Sequence, residues 1–168
     1  MDQEKENALN GMKIPLSPFM AALEIITLLL IVSCATVIFA KYEGLPEFAA
    51  SHFDMLGRPD AWTDKVWLLV VLFAAVVVYA AVSVVECFPQ IFNIPVKTDE
   101  NNGKSVLRVI GVGVAFAKLM ITLMLLSGAV FTCFENAVPP FLYIGYIAVF
   151  LGGSVLFVVK IMNAGKAV

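Results

Sequence analysis

The chain has 168 residues, of which 61% are hydrophobic and 14% are charged, and its formal net charge is −2 at pH 7. A soluble domain carries about 25% charged residues, so this composition excludes an ordinary soluble protein. The chain also lacks an excess of basic residues, and we expect no nucleic-acid partner. We expect lipid to be the solvent of its apolar side chains.

Four apolar runs are long enough to cross a bilayer, which takes about 20 helical residues. The runs are Phe19–Ala40, Val66–Phe88, Val106–Phe134 and Pro139–Val159. The third run exceeds one bilayer thickness, so we expect Ser105–Ile110 to lie at the interface and the buried part to begin near Gly111. The sequence therefore predicts an all-α membrane protein of four transmembrane helices.

The segments between these runs define the domain organisation. Residues 1–18 form a polar N-terminal tail, and residues 19–168 form one four-helix transmembrane domain. Residues 41–65 are a loop between the first two helices, and residues 89–105 are a loop between the second and third. Only Glu135–Val138 separates the last two helices, which must therefore form an antiparallel hairpin.

The basic residues are unevenly distributed between the two sides of the predicted bundle. The side with both termini and the 89–105 loop carries Lys5, Lys13, Lys97, Lys104, Arg108, Lys160 and Lys166. The other side carries Lys41, Arg58 and Lys65. Because basic residues are enriched on the cytoplasmic side, we predict that both termini are cytoplasmic and that the 41–65 loop is extracytoplasmic.

A cleaved lipoprotein signal is an alternative reading of the first run, because Ile31–Cys34 matches the small-residue box before a lipidated cysteine. Against it, Glu24 lies inside the run and the apolar residues continue to Ala40, whereas a secretory signal is shorter and uncharged. The chain has three cysteines, Cys34, Cys87 and Cys133. An odd number argues against a disulfide framework, and we expect them to act as small apolar side chains.

The 41–65 loop contains a dense group of turn-forming, aromatic and charged residues. They are Leu45, Pro46, His52, Phe53, Gly57, Pro59, Asp60, Trp62 and Lys65. Gly57 followed by Pro59 and Asp60 predicts a turn. Residues 50–53 fit one extended strand or one helical turn. Trp62 and Trp67 suit an interface where the ring is buried and the N–H stays wet, so we predict a compact loop docked on the membrane surface.

A second motif follows the second span, and its members are Phe92, Asn93, Pro95, Val96 and Lys97. Together with the 41–65 loop motif, it resembles a bacterial integral membrane domain of unknown function, which also forms the N-terminal part of SdpI-type toxin-immunity membrane proteins. The similar blocks extend from Leu45 to Lys118, with Ile94 where the family usually has tyrosine. The resemblance implies a multi-pass protein of the bacterial cytoplasmic (inner) membrane.

The loop offers little for catalysis or metal binding. His52 lies near Asp54, Asp60 and Asp64 in the sequence, but without the fixed spacing of a metal site. A hydrogen-bonded histidine that fixes the loop is the favoured interpretation. No nucleophile with a base, phosphate-binding loop or metalloprotease helix is recognisable, so we predict no catalytic residues, no cofactor and no enzymatic activity.

Three charged residues lie within or at the ends of apolar runs, namely Glu24, Glu86 and Lys118. A charge in hydrocarbon is costly unless it is paired or reaches the interface. Because the three groups lie at similar predicted depth, they can meet as ion pairs. Snorkelling of each group to the headgroups is the alternative, and the sequence does not separate the two.

Three functions remain open at this stage. The first is a regulatory, sensing or immunity-type protein that binds an envelope or extracellular partner, such as a peptide or protein, through the 41–65 loop. The second is a small oligomeric transporter or channel subunit that uses the intramembrane charges. The third is a membrane enzyme without a recognisable site. Glycines scattered through the last two spans also leave open a homo-oligomer.

Single cysteines at Ser51 and Thr98, in a background without the native cysteines, test the predicted orientation. In intact cells a membrane-impermeant thiol reagent should label position 51 and should leave position 98 unlabelled. Both positions should react once the cells are lysed and the protein is unfolded in denaturant, which is the control. The reverse pattern in intact cells would reject the orientation.

Overall fold

The computed structural model describes residues 12–54, 56–96, 98–99 and 101–166. Most of the N-terminal tail, including Lys5, and Lys97 of the second motif lie outside the described residues. The elements in chain order are helix α1 (Pro18–Tyr42), strand β1 (Phe48–Phe53), strand β2 (Pro59–Asp64), helix α2 (Trp67–Val85), a 3-10 turn (Pro89–Ile91), helix α3 (Gly103–Cys133) and helix α4 (Pro140–Lys166).

All four helices are long and apolar enough to cross a membrane, which confirms the four predicted spans and the class of multi-pass membrane protein. Local signals set their ends. Ser17 caps α1, where its side chain accepts a hydrogen bond from the backbone N–H of Met20, and Pro18 occupies the first turn. The C-terminal end of α3 has a signal of a different kind. Glu135, which follows shortly after the helix, takes a positive φ of 54°, a backbone conformation that ends an α-helix.

Helix α3 is the central element of the bundle. It packs against α1, α2 and α4 and also against β1. In its most apolar stretch, α3 has 39% of its residues buried inside the molecule, whereas α4 has none buried in its own. Helix α4 is therefore peripheral, and its large apolar side chains, such as Phe141, Val155 and Leu156, face outward. Lipid is the solvent that such a surface requires.

The first turns of α3 are covered within the molecule. The helix is continuous from Gly103, and Val106, Leu107 and Ile110 form an apolar cluster with Ile94 of the preceding loop. Phe92 and Val96 pack against the same cluster. The position of these turns at the membrane interface stays a prediction.

The 41–65 loop forms a two-stranded antiparallel sheet, so the designation all-α is incomplete. Phe48 pairs with Asp64, and Phe53 pairs with Pro59, with irregular register on either side of His52. We call strands β1 and β2 with their turn the hairpin. A lone hairpin is only marginally stable in water, so its contacts with the helices must hold it.

The turn of the hairpin includes Asp54 and Leu56–Arg58, and Asp54 organises it. The Asp54 carboxylate accepts hydrogen bonds from the backbone N–H groups of Leu56 and Arg58, each at 2.8 Å. Gly57 takes a φ of +75°, as its turn role predicted. Pro59 and Asp60, which the sequence also placed in the turn, instead begin β2. Proline is acceptable there because the strand is at a sheet edge.

Gly57 also contacts the loop between α3 and α4. Its carbonyl accepts a hydrogen bond from the backbone N–H of Val138 at 2.9 Å. A Cβ atom at position 57 would overlap the carbonyl oxygen of Val138. Both the positive φ and this close backbone approach require glycine.

Replacing Gly57 by valine should therefore lower the free energy of unfolding by about 2 kcal/mol or more, because it adds left-handed strain and a backbone overlap. Replacing the exposed neighbour Arg58 by alanine should change it by less than about 0.5 kcal/mol. Denaturant titration of the purified protein in detergent measures both. Two small and equal effects would show that the hairpin is not docked.

Candidate functional site

The hairpin is fixed to the end of the helix bundle that is opposite the termini. Besides the bond from Val138, the hydroxyl of Thr132 near the end of α3 donates to the carbonyl of Ala50 in β1 at 2.9 Å. Ala49 is 4% exposed, and Leu45 belongs to the main apolar core. The strand next to the bundle is thus held by backbone and side chains of α3 and of the loop after it.

Lys65 ties the start of α2 to the end of α1. Its ammonium donates to the carbonyls of Tyr42 and Leu45, at 3.0 and 3.1 Å. It also lies 5.0 Å from the centre of the Tyr42 ring, within the range of a cation–π interaction. Lys65 therefore stabilises the loop through these contacts, and its charge is not free to bind a partner.

A cavity of about 720 Å³ lies under the hairpin, between it and helices α2, α3 and α4. Its lining residues are Ser51, His52, Phe53, Asp54, Asp60, Trp67, Val71, Met124, Leu125, Gly128, Tyr143, Tyr146 and Ile147. The walls from the helices are mainly aromatic and aliphatic, whereas the hairpin supplies the ionisable groups. The cavity is therefore amphipathic along its depth.

Aromatic side chains of β1 and α4 meet over Gly128 of α3 in the wall of this cavity. A Cβ atom on Gly128 of α3 would lie 3.3 Å from the Tyr143 hydroxyl and 3.7 Å from the Phe53 ring. Tyr143 and Tyr146 stack edge to face, with ring centres 6.4 Å apart. A methyl group at position 128 would thus be slightly tight against Tyr143 and in ordinary contact with Phe53, whereas a larger side chain would enter the space between them.

Trp67 departs from the expectation of a wet indole. It is the first residue of α2 and lines the cavity, and its Nε1 is buried without a hydrogen-bond partner among the described residues. Trp62 instead lies on the hairpin and is 60% exposed. The two tryptophans therefore have different environments, one in the cavity wall and one on the surface.

His52 and Asp60 form a cross-strand pair at the rim of the cavity. Their Nδ1 and Oδ1 atoms are 2.6 Å apart, and the side chains are 69% and 46% exposed. An exposed pair of this kind contributes little to stability. Within the described part of the chain, no three His, Cys, Asp or Glu side chains converge where they could hold a metal ion.

The remaining residues of the loop motif lie on the other side of the hairpin. Pro46, Pro59 and Trp62 line a smaller cavity of about 180 Å³, together with Thr132 of α3. The motif therefore does not form a single site. Part of it builds the hairpin, part faces this small cavity, and His52, Phe53 and Asp60 face the larger one.

The intramembrane charges come together between α1, α2 and α3. The Lys118 ammonium, at the midpoint of α3, lies 2.5 Å from Oε1 of Glu24 and 2.7 Å from Oε2 of Glu86. It also donates to the Ser83 hydroxyl at 3.2 Å and lies 5.0 Å from the centre of the Tyr79 ring. The structure thus shows the ion-paired arrangement. We call these five residues the charge cluster.

Tyr79 and Ser83 are members of the charge cluster that the sequence analysis missed. The Tyr79 hydroxyl donates to Oε2 of Glu24 at 2.8 Å, and the Ser83 hydroxyl donates to the Tyr79 carbonyl at 2.8 Å. With Glu86 they follow the spacing i, i+4 and i+7, which puts all three on one face of α2. This stripe of polar residues in an otherwise apolar helix could have identified Tyr79 and Ser83 from the sequence.

The second motif lies at the end of the bundle that carries the termini. Phe92 and Val96 pack on the cluster of Ile94 and the first turns of α3, while Asn93 and Pro95 are exposed. Val96 lies close to Gly165 at the end of α4. A Cβ atom added to Gly165 would lie 2.7 Å from the Cβ atom of Val96. This motif therefore holds the 89–105 loop against the helices.

Replacing Lys118 by methionine should lower the free energy of unfolding toward the low end of about 3–5 kcal/mol, because it leaves carboxylates without their cation. The low end is expected since Glu24 and Glu86 keep 18% and 11% of their side-chain exposure. The matched control is Lys160→Met on the exposed surface of α4, which should change the free energy of unfolding by less than about 0.5 kcal/mol.

The double variant Lys118→Met/Glu24→Gln should recover part of the loss, with a coupling of about 0.5–3 kcal/mol. Denaturant titration in detergent measures this coupling. Strictly additive effects, or a neutral Lys118→Met variant, would favour snorkelling over pairing.

The region around the hairpin is similar to a known family. The family model of a domain of unknown function (DUF1648) matches residues 28–81, which is less than half of the chain. The matched stretch begins inside α1, contains the whole hairpin and ends in α2, after Tyr79. No curated protein and no solved structure matches the chain. The similarity to DUF1648 thus covers the hairpin, parts of its two flanking helices and part of the wall of the larger cavity.

Proposed function

We propose that this chain is a non-enzymatic membrane protein that binds an envelope or extracellular partner at its hairpin end. The single observation that carries the proposal is the 720 Å³ cavity under the hairpin. Small-molecule and side-chain binding sites commonly have volumes of about 300–1,000 Å³ and are mainly apolar with a few placed polar groups. The cavity has both properties.

The chemistry of the cavity wall indicates an amphipathic ligand. Phe53, Tyr143 and Tyr146 offer aromatic surface to an apolar segment of the ligand, and Trp67 adds a further aromatic side chain to the wall. Asp54 and Asp60 lie on the hairpin side of the cavity, where a polar or cationic group of the ligand would be accommodated. An apolar peptide segment with a basic residue fits this description.

The resemblance to SdpI-type immunity proteins supports the same proposal from a different direction. Together with the uneven distribution of basic residues, it supports an orientation with the 41–65 loop outside a bacterial cytoplasmic membrane, where a secreted peptide or envelope component would be accessible. The similarity to DUF1648 also includes every residue of the hairpin. A regulatory, sensing or immunity role follows if occupancy of the cavity is the event that the cell reads.

The alternative of a small transporter or channel subunit depends on the charge cluster. A conduction path requires charged groups that are reachable by water. Lys118 is only 2% exposed, and the side chains of Glu24 and Glu86 are largely covered by the three helices. This packing favours binding over transport. A homo-oligomer would use α4, in which no residue is buried within one chain.

Photo-crosslinking in the native membrane tests the proposal. A photoreactive residue at His52, on the rim, and one at Tyr146, in the wall, should capture the same partner, because both positions line the cavity. The matched control is a photoreactive residue at Val155, which is 63% exposed on the same helix as Tyr146 but does not line the cavity, and it should not capture this partner.

Filling the cavity should then abolish both crosslinks. Gly128→Leu inserts a side chain between Phe53 and Tyr143, and Ile147→Trp fills the cavity from a position that is 52% exposed and so perturbs packing less. Loss of more than about nine-tenths of the crosslinked product in both variants, at unchanged protein level, is the expected result. Unchanged crosslinking in Ile147→Trp would exclude the cavity as the binding site.

A further inference from the structure

Strand β2 is the outer strand of the hairpin, and one of its edges is unpaired. Helix α3 packs against β1, whereas the main contacts between elements of the described chain do not include one between β2 and a helix. Pro59 is partly buried, and every residue from Asp60 to Asp64 is exposed. A strand edge of this kind presents backbone N–H and C=O groups with which another chain can pair.

The pairing of the hairpin shows which backbone groups point to the free edge. The N–H of Lys65 donates to the carbonyl of Glu47 at 2.9 Å, which continues the ladder beyond the strands by one hydrogen-bonded pair. In an antiparallel ladder, such pairs alternate with pairs whose backbone groups point away from each other. Counting from Lys65, the β2 residues in pairs of the second kind are Trp62 and Asp64.

An independent contact of β1 supports this orientation. Ala50 is the cross-strand partner of Trp62, and its carbonyl accepts the hydrogen bond from the Thr132 hydroxyl of α3 at 2.9 Å. The backbone of Ala50 therefore points away from β2, and that of Trp62 points away from β1. Among the described residues, no hydrogen bond outside the hairpin ladder uses the backbone of Trp62 or Asp64. Their N–H and C=O groups are thus left for an added strand.

The charges of β2 decide what kind of strand this edge can accept. Asp60 and Asp64 lie on either side of Trp62, and β2 contains no basic residue. If a second copy added its own β2 antiparallel and centred on Trp62, Asp60 of each copy would lie opposite Asp64 of the other. Like charges directly opposite each other are destabilising, whereas basic residues in the same places would form opposite-charge pairs. The charge pattern thus disfavours a second copy and favours a basic segment.

We propose that the outer edge of β2 binds an extended, basic peptide segment of another protein, which adds to the hairpin as a further antiparallel strand. Main-chain hydrogen bonds to Trp62 and Asp64 supply the affinity, and basic side chains opposite Asp60 and Asp64 supply the preference. The indole of Trp62, 60% exposed, offers a surface on which a side chain of the added strand packs. The added strand also stabilises the hairpin, because a lone pair of strands is marginal in water.

This surface is separate from the binding site proposed above. Trp62 and Asp64 do not line the cavity of about 720 Å³, although the side chain of Asp60 does. The hydrogen-bonding groups of the edge therefore lie outside the cavity. The inference goes beyond the proposed function and holds or fails independently of it.

Fluorescence anisotropy with a labelled synthetic peptide tests the proposal. The peptide Thr-Lys-Val-Thr-Val-Lys-Thr has its lysines spaced as Asp60 and Asp64 are. The full-length protein is held in nanodiscs of uncharged phosphatidylcholine, so that lipid does not attract the peptide. We expect saturable binding, and replacing both peptide lysines by glutamate should abolish it, because like charges then lie opposite each other.

Backbone methylation of the peptide separates strand addition from other modes of binding. A methyl group on the backbone nitrogen of the central threonine, which faces β2 in the proposed pairing, should weaken binding about tenfold, because a main-chain hydrogen bond is lost. The same methyl group on a neighbouring valine, whose N–H points away from β2, is the matched control and should change binding less than about twofold.

Two variants at position 62 make the same comparison on the protein. Trp62→Pro removes the N–H at the edge and leaves the hairpin ladder intact, since proline is tolerated on edge strands, and it should lower the affinity about tenfold. Trp62→Ala keeps the N–H and should lower the affinity less than about threefold. The methylated peptides keep the test decisive if Trp62→Pro is poorly folded, because they use the wild-type protein.

Equal affinities of the two methylated peptides would overturn the proposal, and so would equal losses in Trp62→Pro and Trp62→Ala. Loss of binding in Ile147→Trp, which fills the cavity, together with full binding in Trp62→Pro would assign the peptide to the cavity and reject the edge. A wild type that does not bind the unmodified peptide would also overturn the proposal. The acidic residues of β2 would then serve only to keep the strand edges of different copies apart.

Discussion

A lysine in the middle of the central helix is the constraint on which the arrangement of the spans depends. Lys118 cannot remain unpaired in hydrocarbon, and the structure gives it two glutamates and a serine hydroxyl from two neighbouring helices. Apolar packing between helices in lipid is weakly directional, because lipid is as apolar as the side chains. The charge cluster therefore fixes which faces of α1 and α2 turn toward α3.

The hairpin is attached to the helices in a different way, mainly through hydrogen bonds to its backbone. The Thr132 hydroxyl, the Val138 N–H and the Lys65 ammonium all meet carbonyl groups of the loop, so the loop sequence need only supply the right shape. Side chains such as Phe53 and His52 are left to face the cavity. A loop held through its backbone can vary its side chains toward a ligand without losing its fold.

The four spans could be predicted because length and hydropathy suffice for them, and the meeting of Glu24, Glu86 and Lys118 was one of two open readings because depth alone suggests it. An extended strand at residues 50–53 was one of two open predictions, but the pairing of the hairpin could not be predicted, since Phe-Ala-Ala-Ser-His-Phe at residues 48–53 shows no alternation of apolar and polar residues. Its pairing depends on contacts with α3 and the loop after it, about 80 residues later in the chain. The cavity could not be predicted from the sequence either, because its walls depend on how α2 and α4 are placed around α3.

The placement of α2 and α4 also determines how a ligand can reach the cavity. Both helices pack on α3, and the main helix contacts of the described chain do not include one between α2 and α4. Trp67 and Val71 of α2 face Tyr146 and Ile147 of α4 across the cavity, with Met124 of α3, 56% exposed, at its floor. The cavity is thus covered by the hairpin at the end of the bundle but flanked by two helices that are not closed on each other. On the proposed function, an apolar ligand dissolved in the bilayer at the hairpin end would enter from the side, and its polar group would then meet His52 and Asp60 at the rim.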